Sequence, residues 1–124
     1  MYQFEFEQNY SIAVGLHWKS SNKKSGLPDD WAERHAASRS IYVNVPGKIS
    51  YGVAENSALN PDDKKNVFSL AALLAGSYKS SLWLIELPKI DKKSTTIYWG
   101  GLISDGVPEV DVFSESIEDI FENL

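Results

Sequence analysis

The pattern of apolar positions is strongest in residues 60–78, where it predicts one long helix. Leu70 and Leu74, with apolar residues three and four positions apart on either side, lie on one helical face. Asn60 is a favourable N-cap, and Pro61 suits the first helical position. Small residues widen the apolar stripe, so we expect this helix to be buried on more than one side and to organise the core.

Alternating apolar and polar positions predict strands in four further segments: residues 2–6, 12–18, 41–45 and 49–53. The first two segments form either one bent strand or two separate strands. The last two are joined by Pro46-Gly47, which predicts a hairpin.

Two strands are expected after the long helix. Residues 82–87 (LWLIEL) are almost continuously apolar, which predicts a central strand buried on both faces. Residues 95–103 (TTIYWGGLI) predict a hairpin partner for it. Gly100-Gly101 in that partner indicates a bulge or a close approach of another backbone. Residues 104–112 (SDGVPEVDV) are expected to be rich in turns.

Two shorter helices complete the prediction. Asp30 and Glu33 resemble a capping box that opens a helix over residues 30–40. Apolar residues at helical spacing predict an amphipathic helix over 117–124. The element order is roughly ββαββαββα, which indicates an α+β fold of mixed α/β layers in a single domain, residues 1–124.

Composition excludes several functional classes. The net charge of −5 and pI of about 4.9 argue against a nucleic-acid binder. The absence of cysteine excludes disulfides and thiolate chemistry. No apolar run is long enough to span a membrane, and the acidic start is unlike a signal peptide. With Met1 as the natural start, a cytoplasmic protein is expected.

No residue set indicates a catalytic, cofactor or metal site. His17 and His35 are the only histidines, which is too few for a zinc site without cysteine. No phosphate-binding loop or nucleophile elbow is present. The paired carboxylates of residues 29–30 and 62–63 are explained by their positions at predicted helix starts.

The aromatic residues of the first strand have two interpretations. Phe4 and Phe6 alternate with glutamates, so they belong either to the core or to an edge strand that pairs with a partner. Trp31 lies on the thin apolar face of the predicted 30–40 helix. These three aromatics are the candidate partner-binding residues.

Three segments together resemble a known family. Residues 13–18 (AVGLHW) resemble the opening strand of the PilO-type accessory proteins of type IVb pili, and residues 68–75 (FSLAALLA) resemble the small-residue helix that follows. Residues 97–111 (IYWGGLISDGVPEVD) resemble the family's aromatic strand, which runs into a turn containing a glycine between two aspartates. The landmark residues of this last segment are here Trp99, Asp105, Gly106 and Asp111.

The resemblance implies a non-enzymatic scaffold with part of an actin-like fold. It would be the N-terminal cytoplasmic domain of a longer inner-membrane protein, attached to the membrane through a segment absent from this chain. Its partners would be the pilus assembly ATPase and other inner-membrane pilus proteins, with no cofactor and no nucleic acid, and a homodimer is left open. The alternatives are a small enzyme or ligand-binding domain with a pocket near Gly100-Gly101, and a standalone acidic adaptor with a basic partner.

Overall fold

The computed structural model describes residues 2–7, 10–21, 37–45, 48–55, 66–89 and 95–124. This part of the chain contains nine strands and two helices. In chain order they are β1 (Tyr2–Glu7), β2 (Tyr10–Val14), β3 (His17–Ser21), β4 (Ala37–Val45), β5 (Lys48–Glu55), β6 (Asn66–Ser69), α1 (Leu70–Ser77), β7 (Ser81–Glu86), β8 (Tyr98–Ser104), β9 (Val107–Ser114) and α2 (Ile117–Asn123).

The strands form three small sheets of three strands each. The first sheet has the order β1-β2-β6, with β1 antiparallel and β6 parallel to β2. The second sheet has the order β3-β5-β4, and the third has the order β7-β8-β9; both are entirely antiparallel. The predicted hairpin around Pro46-Gly47 is therefore confirmed as the pair β4 and β5, although the two turn residues lie outside the described ranges.

The predicted fold class, an α+β fold of the order ββαββαββα resembling part of an actin-like fold, is wrong. The described residues are mostly strand, with only two short helices. The main error is the long 60–78 helix. Residues 66–69 are instead a strand paired in parallel with β2, and the helix begins only at Leu70. Ser69, rather than Asn60, is the N-cap, because its hydroxyl oxygen accepts a hydrogen bond from the Ala72 backbone N–H at 3.1 Å.

The helix that remains contributes a small apolar surface to the core. Its buried residues are Ala71 and Ala75, while Leu70 and Leu74 pack against the core from partly buried positions. Small side chains on this face let the neighbouring strands approach closely. The helix is therefore part of the core, but it does not organise it.

Two further predictions need correction. The predicted 30–40 helix is wrong at its C-terminal end, because residues 37–40 begin strand β4; residues 30–36 lie outside the described ranges. The segment 104–112 is a turn only at Asp105-Gly106: Ser104 ends β8, and residues 107–112 belong to β9. Both turn residues have positive φ (52° and 77°), as a two-residue hairpin of this twist requires.

The turn between β8 and β9 is fixed to the segment that precedes β7. The Gly106 backbone N–H donates to the Lys79 carbonyl oxygen at 2.6 Å, and the Asp105 backbone N–H donates to the Ser80 hydroxyl at 3.4 Å. All three strands of the third sheet are thereby held together at one end.

The predicted C-terminal helix is confirmed, whereas Gly100 is approached by a side chain, that of Ile120, and not by another backbone as predicted. Helix α2 packs on the third sheet through Ile120, which is fully buried. A Cβ atom at Gly100 would collide with the Ile120 side chain and would also contact Leu124. Gly100 therefore provides the space into which the helix docks.

The core lies where the first and third sheets meet α1. Its buried cluster consists of Val14 of β2, Ala71 of α1, Trp99 of β8 and Leu87, which directly follows β7. At the rim, the Tyr2 hydroxyl donates to the Pro88 carbonyl oxygen at 3.3 Å, and the Tyr2 ring lies 5.9 Å from that of Phe113. The first strand therefore packs directly against the third sheet.

Asp111 of β9 is a buried charge that binds the third sheet to the second sheet and to the connection between β2 and β3. Its Oδ1 accepts hydrogen bonds from the Gly15 backbone N–H (2.7 Å) and the Trp99 indole N–H (2.8 Å). Its Oδ2 accepts hydrogen bonds from the Leu16 backbone N–H (3.2 Å) and the Trp18 indole N–H (2.8 Å). Gly15 has φ 80°, a conformation that glycine adopts readily and that lets two successive N–H groups point to one carboxylate. We call these five residues the Asp111 cluster.

Each indole of the Asp111 cluster lies against a glycine. A Cβ at Gly52, the cross-strand neighbour of Trp18, would be 2.7 Å from the Trp18 ring. A Cβ at Gly101, the cross-strand neighbour of Asp111, would collide with the Trp99 ring. The glycines therefore leave room for both rings to reach over their own sheets towards the carboxylate.

We expect Asp111→Asn to lower the free energy of unfolding by about 2–6 kcal/mol. The amide keeps one acceptor oxygen, but its NH₂ group faces two N–H donors, which are then unsatisfied at a buried site. Urea unfolding followed by circular dichroism measures the change. A loss below about 1 kcal/mol would show that the cluster does not hold the sheets together.

We expect Gly100→Ala to destabilise the protein by about 1–3 kcal/mol, because the new methyl group overlaps Ile120 and displaces α2. Gly76→Ala is the matched control, since a Cβ there meets nothing within 4 Å. In a helix this second substitution is expected to be neutral or stabilising by up to about 1 kcal/mol. Equal effects of the two changes in urea unfolding would contradict the proposed docking of α2 on Gly100.

Candidate docking surface

Strand β7 exposes an apolar surface at an edge of the third sheet. Its side chains alternate, with Trp83 and Ile85 packed against the core. The opposite face carries Leu82, which is 64% exposed, Leu84, which is 42% exposed, and the exposed Glu86. We call these three residues the β7 face. The prediction that residues 82–87 form a central strand buried on both faces is therefore wrong.

Helix α2 covers the same side of the sheet but leaves β7 open. Leu84 is the direct cross-strand neighbour of Gly100, the residue on which Ile120 packs. The helix contacts β8 and β9, so it borders the β7 face without covering it. The edge of β7 beyond the sheet is not paired with any other strand in the described part of the chain.

The charge on the α2 side of this surface is acidic, whereas the exposed Lys79 and Lys89 lie before and after β7. Residues 94–124 contain seven acidic residues and no lysine, arginine or histidine, whereas all twelve basic residues lie before residue 94. Asp111 is buried, and the other six acidic residues are exposed: Asp105, Glu109, Glu115, Glu118, Asp119 and Glu122. Three of these are on α2, beside the β7 face.

Glu118 is held in its charged form. The pKa of its carboxyl lies below the ordinary value because it accepts hydrogen bonds from its own backbone N–H and from the Ser116 hydroxyl. It also lies in the first turn of α2, where negative charge is favourable. Helix α2 therefore presents negative charge at neutral pH.

The other exposed apolar side chains lie on the first sheet, in and just after α1, and on α2, where Phe121 is 60% exposed. Tyr10 and Phe68 stack across neighbouring strands of the first sheet, with ring centroids 5.7 Å apart. Tyr78 packs edge-on against Trp83 at 5.2 Å. Leu73 is isolated on the outer side of α1. The Tyr10–Phe68 pair also lies at an edge strand, β6, but its two rings contact each other, whereas the β7 face carries two exposed leucines on one edge strand.

The predicted partner-binding residues are only partly described. Phe4 is half-buried and packs against the core, while its strand β1 is an edge of the first sheet. Phe4 therefore contributes to the core and also lies on an edge strand, so neither the core nor the edge-strand interpretation is ruled out at this residue. The side chain of Phe6 and the whole of Trp31 lie outside the described residues, so their part in binding stays a prediction.

The described residues offer no assembled site for acid-base or metal chemistry. No three of their histidine, aspartate or glutamate side chains form a group that could hold a metal ion. Among the residues whose burial is described, Asp111 carries the buried charge, and its two oxygens already accept four hydrogen bonds. The space around Gly100 and Gly101, suggested for a ligand pocket, is filled by Ile120 and Trp99.

The β7 face was missed because a short apolar run does not distinguish an exposed strand from a buried one. The available signal was Glu86, which continues the alternation of Leu82 and Leu84 and so indicates which side of the strand faces solvent. Asp111 was missed as a structural residue because an aspartate between valines is ordinarily placed on the solvent side of a strand.

No family model, curated protein or solved structure matches this chain. The resemblance to the pilus accessory proteins therefore depends on the quoted segments alone. Two of these segments, residues 13–18 and 97–111, meet at the Asp111 cluster. Among the described residues, no helix has the length and apolar character needed to cross a membrane.

We expect Leu82→Ser to change the free energy of unfolding by less than about 1 kcal/mol, because this side chain is already mostly in water. Ile103→Ala, one residue beyond the cross-strand neighbour of Leu82 and 1% exposed, should cost about 2–5 kcal/mol. Chemical unfolding of the two variants measures both values. A large loss in Leu82→Ser would show that the β7 face is covered within the protein.

Proposed function

We propose that this domain is a non-enzymatic docking module that binds a partner protein through strand β7. The observation that carries the proposal is the exposure of Leu82 and Leu84 on a strand whose outer edge is unpaired within the described residues. Edge strands are usually shortened, charged or covered, because their unpaired backbone groups can pair with another chain. On β7 the only charged residue is Glu86, at the end of the strand.

The energetics indicate an interface wider than two leucines. Burying a leucine side chain fully contributes about 1.5–3 kcal/mol, and both are already partly buried. Association costs at least about 4 kcal/mol in lost freedom of motion. A partner must therefore gain further contacts, which the backbone edge of β7 and the neighbouring surface of α2 can supply.

The finer proposal places the module in the inner-membrane assembly complex of a type IVb pilus, at the cytoplasmic face of the membrane. Its support is the resemblance of residues 13–18, 68–75 and 97–111 to the pilus accessory proteins. The partner would then be the assembly ATPase or another inner-membrane pilus protein. Phe4, Phe6 and Trp31 remain candidates for a second contact, since aromatic residues often carry a large share of binding energy.

Co-purification with the purified assembly ATPase and inner-membrane pilus proteins tests both the docking function of β7 and the pilus assignment. We expect the double variant Leu82→Ser/Leu84→Ser to lose most of the binding, while Leu73→Ser, an exposed leucine on α1, retains it. Phe4→Ser and Trp31→Ala test the second contact, with circular dichroism to confirm folding.

The possible outcomes distinguish the docking function of β7 from the pilus assignment. Binding of a pilus component that is unaffected by the β7 double variant would remove β7 as the docking surface. Failure of the wild type to bind any pilus component would contradict the pilus assignment. A different partner whose binding requires Leu82 and Leu84 would leave the docking function in place.

A further inference from the structure

We propose that the β7 face receives a basic amphipathic helix from the partner, which lies beside α2 on the third sheet. This inference rests on the proposed docking function and specifies the chemistry of the partner. Two independent properties of the described residues lead to it: the space left beside α2, and the sign of the charge that surrounds it.

The space beside α2 fits a helix. Neighbouring strands lie about 4.8 Å apart, so β7 is roughly 5–10 Å from the strands β8 and β9 that α2 covers. Packed helices lie 8–10 Å apart. A helix over β7 would therefore contact Leu82 and Leu84 below it and α2 at its side, and it would complete the helical layer on this sheet.

An added strand explains the exposed leucines less well. A strand paired with the edge of β7 would satisfy its backbone groups, but the side chains of Leu82 and Leu84 point out of the sheet and would stay in water. A helix on the face removes those side chains from water. The exposed residues therefore favour a helix over a strand.

The charge selects a basic helix. Glu86 on β7 and Glu118, Asp119 and Glu122 on α2 are all exposed, and residues 94–124 contain no basic residue. The exposed lysines Lys79 and Lys89 lie beyond the two ends of β7, so the negative charge is concentrated on the side where α2 lies. These carboxylates lie within about one Debye length, ~10 Å, of a helix packed beside α2. A partner helix with leucine-type residues on one side and lysine or arginine at the flanks satisfies both requirements.

A second copy of this chain is a poorer occupant. Two copies paired through β7 in a continuous antiparallel sheet would place both α2 helices on the same side of that sheet. Each helix carries three exposed acidic residues and no basic one. Such a dimer would leave Leu82 and Leu84 in water, as any strand paired at this edge does, and it would place two acidic helices on one side of the sheet.

The test uses three synthetic peptides of about 18 residues, which span some 27 Å as a helix. The first has leucine at positions i, i+3, i+4 and i+7 with lysine elsewhere. The second has glutamate in place of lysine, and the third has the leucine and lysine composition of the first in strict alternation, which favours a strand. Isothermal titration with the whole chain measures the affinities, and amide chemical shifts locate the peptide.

We expect the first peptide to bind at least about tenfold more tightly than the other two, and to shift the amides of β7 and α2. Leu82→Ser/Leu84→Ser should weaken its binding at least about tenfold. Glu118→Gln/Glu122→Gln should weaken it several-fold and reduce its salt dependence. The matched control is Glu5→Gln/Glu7→Gln, which removes two charges from β1 of the first sheet and should change little.

Several results would overturn the inference. Stronger binding of the alternating peptide would assign the surface to a strand. Equal effects of the two charge variants would show attraction to net charge alone. A dimer in light scattering that disappears in the leucine double variant would make a second copy the occupant. If no peptide binds but co-purification still requires Leu82 and Leu84, the docking function holds and the basic helix is excluded.

Discussion

The fold depends on one carboxylate that is removed from water and given four hydrogen-bond donors. Taking the Asp111 charge out of water costs several kcal/mol, and this cost is offset only when the geometry satisfies both oxygens. The donors come from the second sheet, the third sheet and the connection between β2 and β3, so these parts cannot shift without leaving a buried N–H or oxygen unsatisfied. Three sheets this small have little core of their own, and the shared carboxylate makes them one structure.

The sequence predicted individual strands better than their assembly. The β4–β5 hairpin and helix α2 follow from local alternation, turn chemistry and helical spacing, which act over a few residues. The helix over 60–78 failed at residues 66–69 because pairing with β2, more than fifty residues earlier, overrides local helical spacing. The actin-like interpretation failed with it, since it required that helix and the 30–40 helix as complete layers.

The site was harder to predict than the fold, because the exposure of a side chain depends on how the strands and helices pack together. Leu82 and Trp83 are adjacent and both apolar, yet one faces water and the other packs against the core. Only the position of α2 over Gly100, and not over β7, decides which leucines remain exposed. Asp111 shows the reverse case, in which a charged residue is buried because its donors lie far away in the chain.

The distance along the chain between Asp111 and its donors has a consequence for how the protein is made. Gly15 and Leu16 are 96 and 95 residues from the carboxylate that they contact. Contacts between residues so far apart slow folding, because a large loop must close first. During synthesis the N-terminal strands leave the ribosome well before Asp111 and have no anion for their N–H groups until it emerges. Until then the strands already made, β1 to β6, lack the third sheet that packs on them, and a chaperone or a neighbouring nascent chain can bind that uncovered surface.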